Sequence, residues 1–130
     1  MKVEVRYYSR SGNTKSVAEA IAAQAGVPAV SVDSADAQLK ETADILFIGG
    51  ALYAYGLDSH LKNYLKTLKK NDTKKAVVFS TSWLSKHSVY LIKKGLTDAG
   101  IPVETEFFYV KNTPSEEQLK DAAAFARKFL

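Results

Sequence analysis

Residues 43–48 read ADILFI, a run that is apolar at nearly every position. A strand with one face in water alternates apolar and polar residues, whereas a strand covered on both faces is apolar throughout. The run therefore predicts a strand inside a parallel sheet. AVVFST at residues 76–81 has the same character and predicts the next buried strand.

Strand and helix patterns alternate along the rest of the chain. Further strands are predicted at residues 3–7, 29–32 and 103–110. Residues 35–42 are polar enough to form only a short helix or a loop. Residues at helical spacing form four stripes: Val17, Ala20, Ile21 and Gln24; Leu57, Leu61, Leu65 and Leu68; Val89, Ile92, Leu96 and Ala99; and Leu119, Ala122, Ala126 and Phe129. Thr113 is the predicted cap of the last helix, with Pro114 at the first helical position and Glu116 at the third.

Five strands that alternate with helices, joined by right-handed crossovers, predict a doubly wound α/β fold with helices on both faces of a parallel sheet. At 130 residues the chain has room for one domain, residues 1–130, and not for a second. Ligands of such sheets bind beyond the carboxyl ends of the strands. The loops at residues 9–14, 49–58 and 81–88 are therefore the candidate site.

The chain has no cysteine, which excludes a disulfide framework, thiolate metal sites and dithiol redox chemistry. Its first residues, MKVEVRYYS, lack the basic segment and apolar run of a signal peptide, and no later apolar run approaches membrane-spanning length. We therefore expect a cytoplasmic protein that does not contact a membrane, either a monomer or a weak dimer.

The formal net charge is +4, and lysines crowd into one segment: Lys62, Lys66, Lys69, Lys70, Lys74 and Lys75. A solvated helix face that runs into a turn is the first explanation of such a cluster. The second is a docking face for an acidic partner, made of Lys62, Lys66, Lys69 and Lys70. Nucleic acid is not expected as a partner, because the cluster lacks interleaved arginine and aromatic residues.

The loop at residues 9–14 has the composition of a phosphate site. It joins a strand to a helix, and the first amides of a helix have no intrahelical partner and attract an anion. Ser9, Ser11 and Thr14 add hydroxyl groups, Asn13 adds an amide, and Gly12 lets a ligand approach the backbone. The glycine spacings of the Walker loop and of the Rossmann dinucleotide site are absent.

The sequence SRSGNT at residues 9–14 resembles the phosphate loop of the flavodoxin family, in which two hydroxyl residues flank a variable position before Gly, Asn and Thr. FIGG at residues 47–50, FSTSW at residues 79–83 and the closing PSEEQLKDAAAFARKFL are also similar to that family. The resemblance implies a short-chain flavodoxin with the flavodoxin-like strand order 2-1-3-4-5. It also implies a non-covalently bound FMN.

The resemblance implies that three loops hold FMN. The phosphate would be bound by Ser9, Arg10, Ser11, Gly12, Asn13 and Thr14, with Arg10 either pairing with the phosphate or reaching over the cofactor. The flavin ring would contact a second and a third loop, made of Gly50, Ala51, Leu52, Tyr53, Ala54, Tyr55 and Gly56 and of Thr81, Ser82 and Trp83. We favour ring stacking for Tyr53 and Trp83. Packing on the next helix explains Tyr55 equally well.

The favoured function is electron transfer to and from redox partner proteins through FMN. The alternative is a small FMN-dependent oxidoreductase that acts on a quinone or a porphyrinogen, and a flavin-free partner-binding module is a third interpretation. Neither a Ser/His/Asp triad nor a metal-ligand cluster is evident, and His60 and His87 are interpreted as surface histidines. Arg10 and Lys86 are cations in the candidate loops, and we expect them to favour the reduced, anionic cofactor.

Overall fold

A computed structural model describes residues 1–53, 56–83 and 85–130 of the chain. In chain order its strands are β1 (Val3–Tyr7), β2 (Ala29–Ser31), β3 (Ile45–Gly50), β4 (Leu52–Tyr53), β5 (Gly56–Leu57), β6 (Ala76–Thr81) and β7 (Val103–Val110). Five of them form a parallel sheet in the order β2-β1-β3-β6-β7, whereas β4 and β5 pair with each other as an antiparallel hairpin. Numbered within the large sheet, this order is 2-1-3-4-5, so the predicted sheet is confirmed.

Helices cover both faces of the sheet. They are α1 (Asn13–Ala25), α2 (Ser59–Thr67), α3 (His87–Asp98) and α4 (Glu116–Arg127), and 3₁₀ turns occupy Ala35–Ala37 and Lys70–Asp72. Within the described ranges, none of these helices combines the length and the apolar composition that crossing a membrane requires.

Strand β3 shows why the run at residues 43–48 is so apolar. Ile45 and Phe47 pack in one core with α1 and α4, whereas Leu46 and Ile48 pack in a second core with α2 and α3. All four side chains are buried. Because successive side chains of a strand point to opposite faces, a strand between two helical layers needs an apolar residue at every position.

The strand register brings the candidate loops to one edge of the sheet. Tyr7 at the end of β1 is level with Gly49, and Gly50 at the end of β3 is level with Ser80 of β6. A methyl group on Gly49 would overlap the ring and the carbonyl oxygen of Phe79, so only glycine lets β3 and β6 pack as they do here. The loops that follow β1, β3 and β6 therefore leave the sheet at the same edge.

The start of α2 differs from the prediction. Leu57 lies in β5, and the helix begins at Ser59 because the Asp58 carboxylate accepts the His60 amide at 2.7 Å and caps it. Leu57 still packs in the same core as Leu61. Leu57 therefore fits the helical spacing although it lies outside the helix, and the prediction that Leu57 belongs to α2 is wrong.

The start of α4 also differs. Ser115 is the cap: its hydroxyl accepts the Gln118 amide at 3.1 Å, and the Gln118 side chain accepts the Ser115 amide at 2.9 Å. The prediction of Thr113 as the cap is wrong, and Pro114 precedes the helix. Thr113 and Ser115 are each followed three residues later by Glu or Gln, so the sequence offers two capping boxes and the structure forms the second.

Candidate functional site

The loop between β1 and α1 is a tight turn closed by Ser9. The Ser9 hydroxyl accepts the Gly12 amide at 2.9 Å, and the Gly12 carbonyl accepts the Ser16 amide at 3.0 Å where α1 begins. Gly12 has a φ of 94°, a left-handed conformation that residues with side chains rarely adopt. No atom lies within 4 Å of the position that a Cβ at Gly12 would take, so the space at this turn is open.

The N-terminus of α1 has donors without partners. The Ser11 hydroxyl accepts the Asn13 amide only at 3.4 Å, and the Thr14 and Lys15 amides have no acceptor among the described residues. The first turn of the helix carries no acidic side chain. Unpaired amides and the positive end of the helix dipole together attract an anion.

The Thr14 side chain ties the first loop to the third. Its hydroxyl lies 2.6 Å from the hydroxyl of Thr81, and both side chains are buried. Thr81 is the last residue of β6, where the third loop begins. The Thr14 hydroxyl is thus already engaged within the protein, and the Thr14 amide is the group that an anion would meet.

Arg10 joins the first loop to the end of the second. Its Nε and Nη2 donate to one carboxylate oxygen of Asp58 at 2.8 and 2.6 Å. The guanidinium carbon also lies 3.9 Å from the centre of the Tyr53 ring, and the Arg10 amide donates to the Tyr53 hydroxyl at 3.1 Å. Arg10 therefore contacts Tyr53 through both its side chain and its backbone.

Asp58 is buried and accepts four hydrogen bonds. Its second carboxylate oxygen accepts the His60 amide at 2.7 Å and the His60 Nδ1 at 2.8 Å, which requires the proton of the imidazole on Nδ1. Burial by itself would raise the pKa of the Asp58 carboxyl, but the hydrogen bonds from His60 and Arg10 outweigh it and hold the pKa below its usual value. Asp58 is therefore a stable anion at neutral pH.

His60 is exposed, as predicted, but it is also part of this cluster. Its ring stacks on Tyr8 with the ring centres 4.8 Å apart and an angle of 12° between the planes. Tyr8 directly follows β1. The cluster thus links the end of β1, the first loop, the hairpin and the start of α2.

Tyr53 and Trp83 are the two predicted stacking residues, and both lie in the described part of the chain. Tyr53 is half-buried, and burial raises the pKa of its phenol although the hydrogen bond from the Arg10 amide opposes the rise, so the phenol is neutral at neutral pH. Because Arg10 covers one face of the Tyr53 ring, a ligand would stack on the other. Trp83 is 65% exposed, with the ammonium of Lys111 at 5.7 Å from its ring centre.

Ser82, between Thr81 and Trp83, has a buried hydroxyl without a hydrogen-bond partner in the described part of the chain. Its backbone is fully used: the amide donates to Val110, and the carbonyl accepts the Tyr109 hydroxyl at 2.8 Å. Buried polar side chains nearly always have a partner. An orphaned hydroxyl at the carboxyl end of β6 therefore marks a place where a polar ligand atom would complete the site.

The remaining predicted residues are placed as follows. Gly50 ends β3 with its carbonyl accepting the Ser80 hydroxyl, Ala51 and Leu52 are half-buried, and Gly56 begins β5 with open space around it. Ala54 and Tyr55 lie outside the described residues, so their predicted contacts with the cofactor stay predictions.

Sequence reasoning missed Asp58, His60 and Tyr8. One signal was available for Asp58, because aspartate directly before a helix is a preferred cap. Its link to Arg10 joins residues 48 positions apart, and no local pattern predicts such a pair.

Comparison with known proteins gives a consistent result. The flavodoxin domain family matches residues 5–122. A flavodoxin from the domain Archaea is 23% identical, with a TM-score of 0.85 over 98% of this chain and 95% of that chain. Flavodoxin 2 from Bacillus cereus is 23% identical, with a TM-score of 0.82 over 99% and 97%.

A match to a longer protein shows the same fold within a larger chain. The rubredoxin oxygen:oxidoreductase of Desulfovibrio gigas is 18% identical, with a TM-score of 0.82 over 97% of this chain but 34% of that chain. No curated protein sequence matches significantly. At such low identities the structural likeness shows the fold alone, but the family match spans most of the chain and includes the loop at residues 9–14. The chain therefore belongs to the flavodoxin domain family.

Proposed function

We propose that this protein binds FMN non-covalently and transfers electrons to and from redox partner proteins. The observation that carries the proposal is the loop at residues 9–14, which presents unpaired helix amides at the carboxyl edge of the sheet. Membership of the flavodoxin domain family supports it. We place this activity in the cytoplasm, with the protein acting as a monomer or a weak dimer.

The residues at the site fit FMN. The amides of Asn13, Thr14 and Lys15 would bind the phosphate, and the side chains of Ser9 and Ser11 line the same turn. Tyr53 and Trp83 would flank the flavin ring, and the orphaned Ser82 hydroxyl would bond one of its polar atoms. FMN supplies one- and two-electron chemistry when bound, and the protein supplies position and electrostatic environment.

The fit also gives each described loop a separate task. The first loop binds the charged end of the ligand in front of α1 through backbone groups. The second and third loops exclude water from the ring with aromatic side chains. The Thr14–Thr81 and Arg10–Asp58 hydrogen bonds connect the three loops through the protein's own side chains, which limits the loop entropy that binding would cost.

We further propose that the partner proteins are acidic and dock on the lysines of α2 and of the 3₁₀ turn that follows it. Lys62, Lys66, Lys69 and Lys70 are exposed, and their ammonium groups have no carboxylate within 4 Å among the described residues, whereas those of Lys74 and Lys75 pair with Asp44 and Glu104. A groove of about 500 Å³ runs between α2 and α3 and begins at Gly56 of the second loop. Lys62 and Lys66 line it together with Leu65 and Leu91.

The cofactor proposal is tested by titrating apoprotein with FMN and with riboflavin. FMN should bind at least 100-fold more tightly, about 2.7 kcal/mol, because only FMN brings an anion to the helix terminus. Equal affinities for the two ligands would refute the assignment of residues 9–14 as the phosphate site.

A matched pair of glycine variants locates the effect. Gly12 and Gly26 both have a left-handed φ and open space around the missing Cβ, but only Gly12 lies in the loop. Gly12→Ala and Gly26→Ala should destabilise the apoprotein similarly, by about 1 kcal/mol. Only Gly12→Ala should weaken FMN, and an equal loss in both variants would show that the loop has no special role.

A further inference from the structure

We propose that Asp58 is a positioning residue for the cofactor site: it joins the first loop to the second through Arg10 and Tyr53, and Arg10 in turn masks its charge from the cofactor. The inference rests on the proposed function, and it assigns a role to a residue that does not itself need to touch FMN.

The Asp58 carboxylate is the centre of a hydrogen-bond network, which we call the hub. Asp58 is 6% exposed, and its two oxygens accept two hydrogen bonds from Arg10 and two from His60, at 2.6 to 2.8 Å. A carboxylate has about four acceptor positions, so the hub is saturated. The His60 contacts fix Asp58 to the start of α2, which is a rigid element, and Arg10 extends from that anchor to the first loop.

Tyr53 is held through Arg10. The guanidinium that donates to Asp58 also lies over the Tyr53 ring at 3.9 Å, while the Arg10 amide donates to the Tyr53 hydroxyl. An arginine fixed by two hydrogen bonds is a rigid plane, whereas an unpaired arginine on the surface samples many rotamers. Removing the carboxylate would therefore release the ring that we assign to flavin stacking.

The same pair sets the charge at the site. A buried carboxylate next to the loops would repel FMN, and would repel reduced FMN most because it carries additional negative charge. Arg10 cancels that charge at hydrogen-bond distance. The Arg10–Asp58 pair is therefore close to neutral as a unit, and the effect of Arg10 on the cofactor is to offset the carboxylate.

Removing Arg10 and removing the charge of Asp58 should change the relative affinity for reduced and oxidised FMN in opposite directions. Arg10→Ala uncovers the carboxylate, so the affinity for fully reduced FMN should fall at least tenfold more than that for oxidised FMN, which lowers the two-electron midpoint potential by about 30 mV. Asp58→Asn leaves the positive charge of Arg10 without a partner, so it should raise the affinity for reduced FMN relative to that for oxidised FMN. This quotient of the two affinities is the affinity ratio. In Arg10→Ala/Asp58→Asn neither charge remains, and the ratio should return to within threefold of wild type. Potentials that are equal in all four proteins would overturn the masking role.

The effect of Asp58 on the position of the Tyr53 ring is measured separately, by NMR of the apoprotein. Asparagine caps a helix as well as aspartate does, so Asp58→Asn keeps α2 intact. It should nevertheless shift the Tyr53 ring signals in the NMR spectrum and the signal of the Arg10 Nε proton, which donates to Asp58 in the wild type. Arg10→Lys keeps the charge without the planar fork, so it should shift the Tyr53 signals but preserve the affinity ratio. Tyr53 signals that are unchanged in both variants would overturn the positioning role.

A remote ion pair serves as the control. Lys128, which directly follows α4, and Glu106 of β7 form a pair at 2.9 Å, and both side chains are exposed. Lys128→Ala and Glu106→Gln should leave the Tyr53 signals and the FMN affinity ratio unchanged. If wild-type protein binds neither FMN nor riboflavin, the proposed function fails, and the apoprotein spectra still decide whether Asp58 positions Tyr53.

Discussion

The Thr14–Thr81 hydrogen bond gives a sharp test of how the cofactor loops are held together. Both hydroxyls are almost completely buried and lie 2.6 Å apart, and no other partner of either side chain occurs in the described part of the chain. Replacing one threonine by valine leaves the other hydroxyl buried without a partner. Replacing both removes the donor and the acceptor together.

The magnitudes follow from that difference. An orphaned buried hydroxyl costs about 1–3 kcal/mol, whereas a pair of apolar groups of the same shape is nearly neutral. Thr14→Val and Thr81→Val should each lower the free energy of unfolding by about 2 kcal/mol. The double variant should be more stable than the sum of the single effects by about 1–2 kcal/mol, as expected for directly contacting residues.

Urea unfolding of the apoprotein measures these terms. With an m-value of about 2 kcal/mol/M, a loss of 2 kcal/mol moves the midpoint by about 1 M. Thr97→Val is the matched control, because Thr97 is exposed on α3 and should change the midpoint little. Single effects that add in the double variant would refute the coupling between the two hydroxyls.

The same variants decide which group of Thr14 meets the phosphate. The structure engages the hydroxyl with Thr81 and leaves the amide unpaired among the described residues. We therefore expect the double variant to bind FMN within about threefold of wild type, less than 1 kcal/mol. A persistent loss of tenfold or more would instead assign the hydroxyl to the phosphate, as the sequence motif predicts.

Three other predictions concern stability of the apoprotein. Gly49→Ala should cost about 1–3 kcal/mol in urea unfolding because its methyl group overlaps Phe79, whereas Gly56→Ala should cost less than 0.5 kcal/mol. Ser115→Ala should cost about 1 kcal/mol, since it removes the cap of α4. The pKa of Asp58 is lower in the folded state than its usual 3.8, so the ionised carboxylate should stabilise the fold above pH 4 and do so less as the pH falls below that value. Urea midpoints of wild type and Asp58→Asn, measured from pH 7 to 3, test this.

The sheet was predictable because its signal is local and repeated. A strand between two helical layers is apolar where both faces are covered, and residues 45–48 of β3 and 76–79 of β6 each show this in a short run. The α1 loop was predictable for a related reason: a hydroxyl-rich turn with one glycine before a helix has few other structural solutions, and Gly12 does adopt the left-handed conformation.

Element boundaries failed where two local solutions compete. Thr113 and Ser115 both begin a capping box, and Leu57 continues the helical spacing of Leu61 although it precedes the helix. Apolar spacing reports which core a residue joins and not whether it lies in the helix, because a strand residue next to the cap reaches the same core. The capping hydrogen bond decides the boundary, and it depends on geometry that the pattern does not contain.

The charge partner of Arg10 could not be predicted from the sequence for a different reason. Net charge and the placement of Arg10 and Lys86 in loops predict an excess of positive charge near the cofactor, but a cation counts only after its partner is known. Arg10 is matched by Asp58, and the ammonium of Lys86 lies 5.7 Å from the Tyr109 ring. What sequence reasoning lacked was the fold, which brings a carboxylate 48 positions away to the guanidinium.

Arg10 and the lysines of α2 therefore differ in the electric field that they contribute. An arginine paired with a buried carboxylate is locally neutral, so it contributes rigidity to the cofactor loops and little net field. The lysines of α2 have no carboxylate partner among the described residues, so their field extends to about one Debye length in physiological salt. Charge reversal at Lys62 and Lys66 should therefore slow association with an acidic partner in a salt-dependent way and leave the FMN affinity unchanged. Arg10→Ala should weaken FMN and leave the rate of association with the partner unchanged. We therefore propose that the α2 lysines act in docking, whereas the Arg10–Asp58 pair acts at the cofactor site.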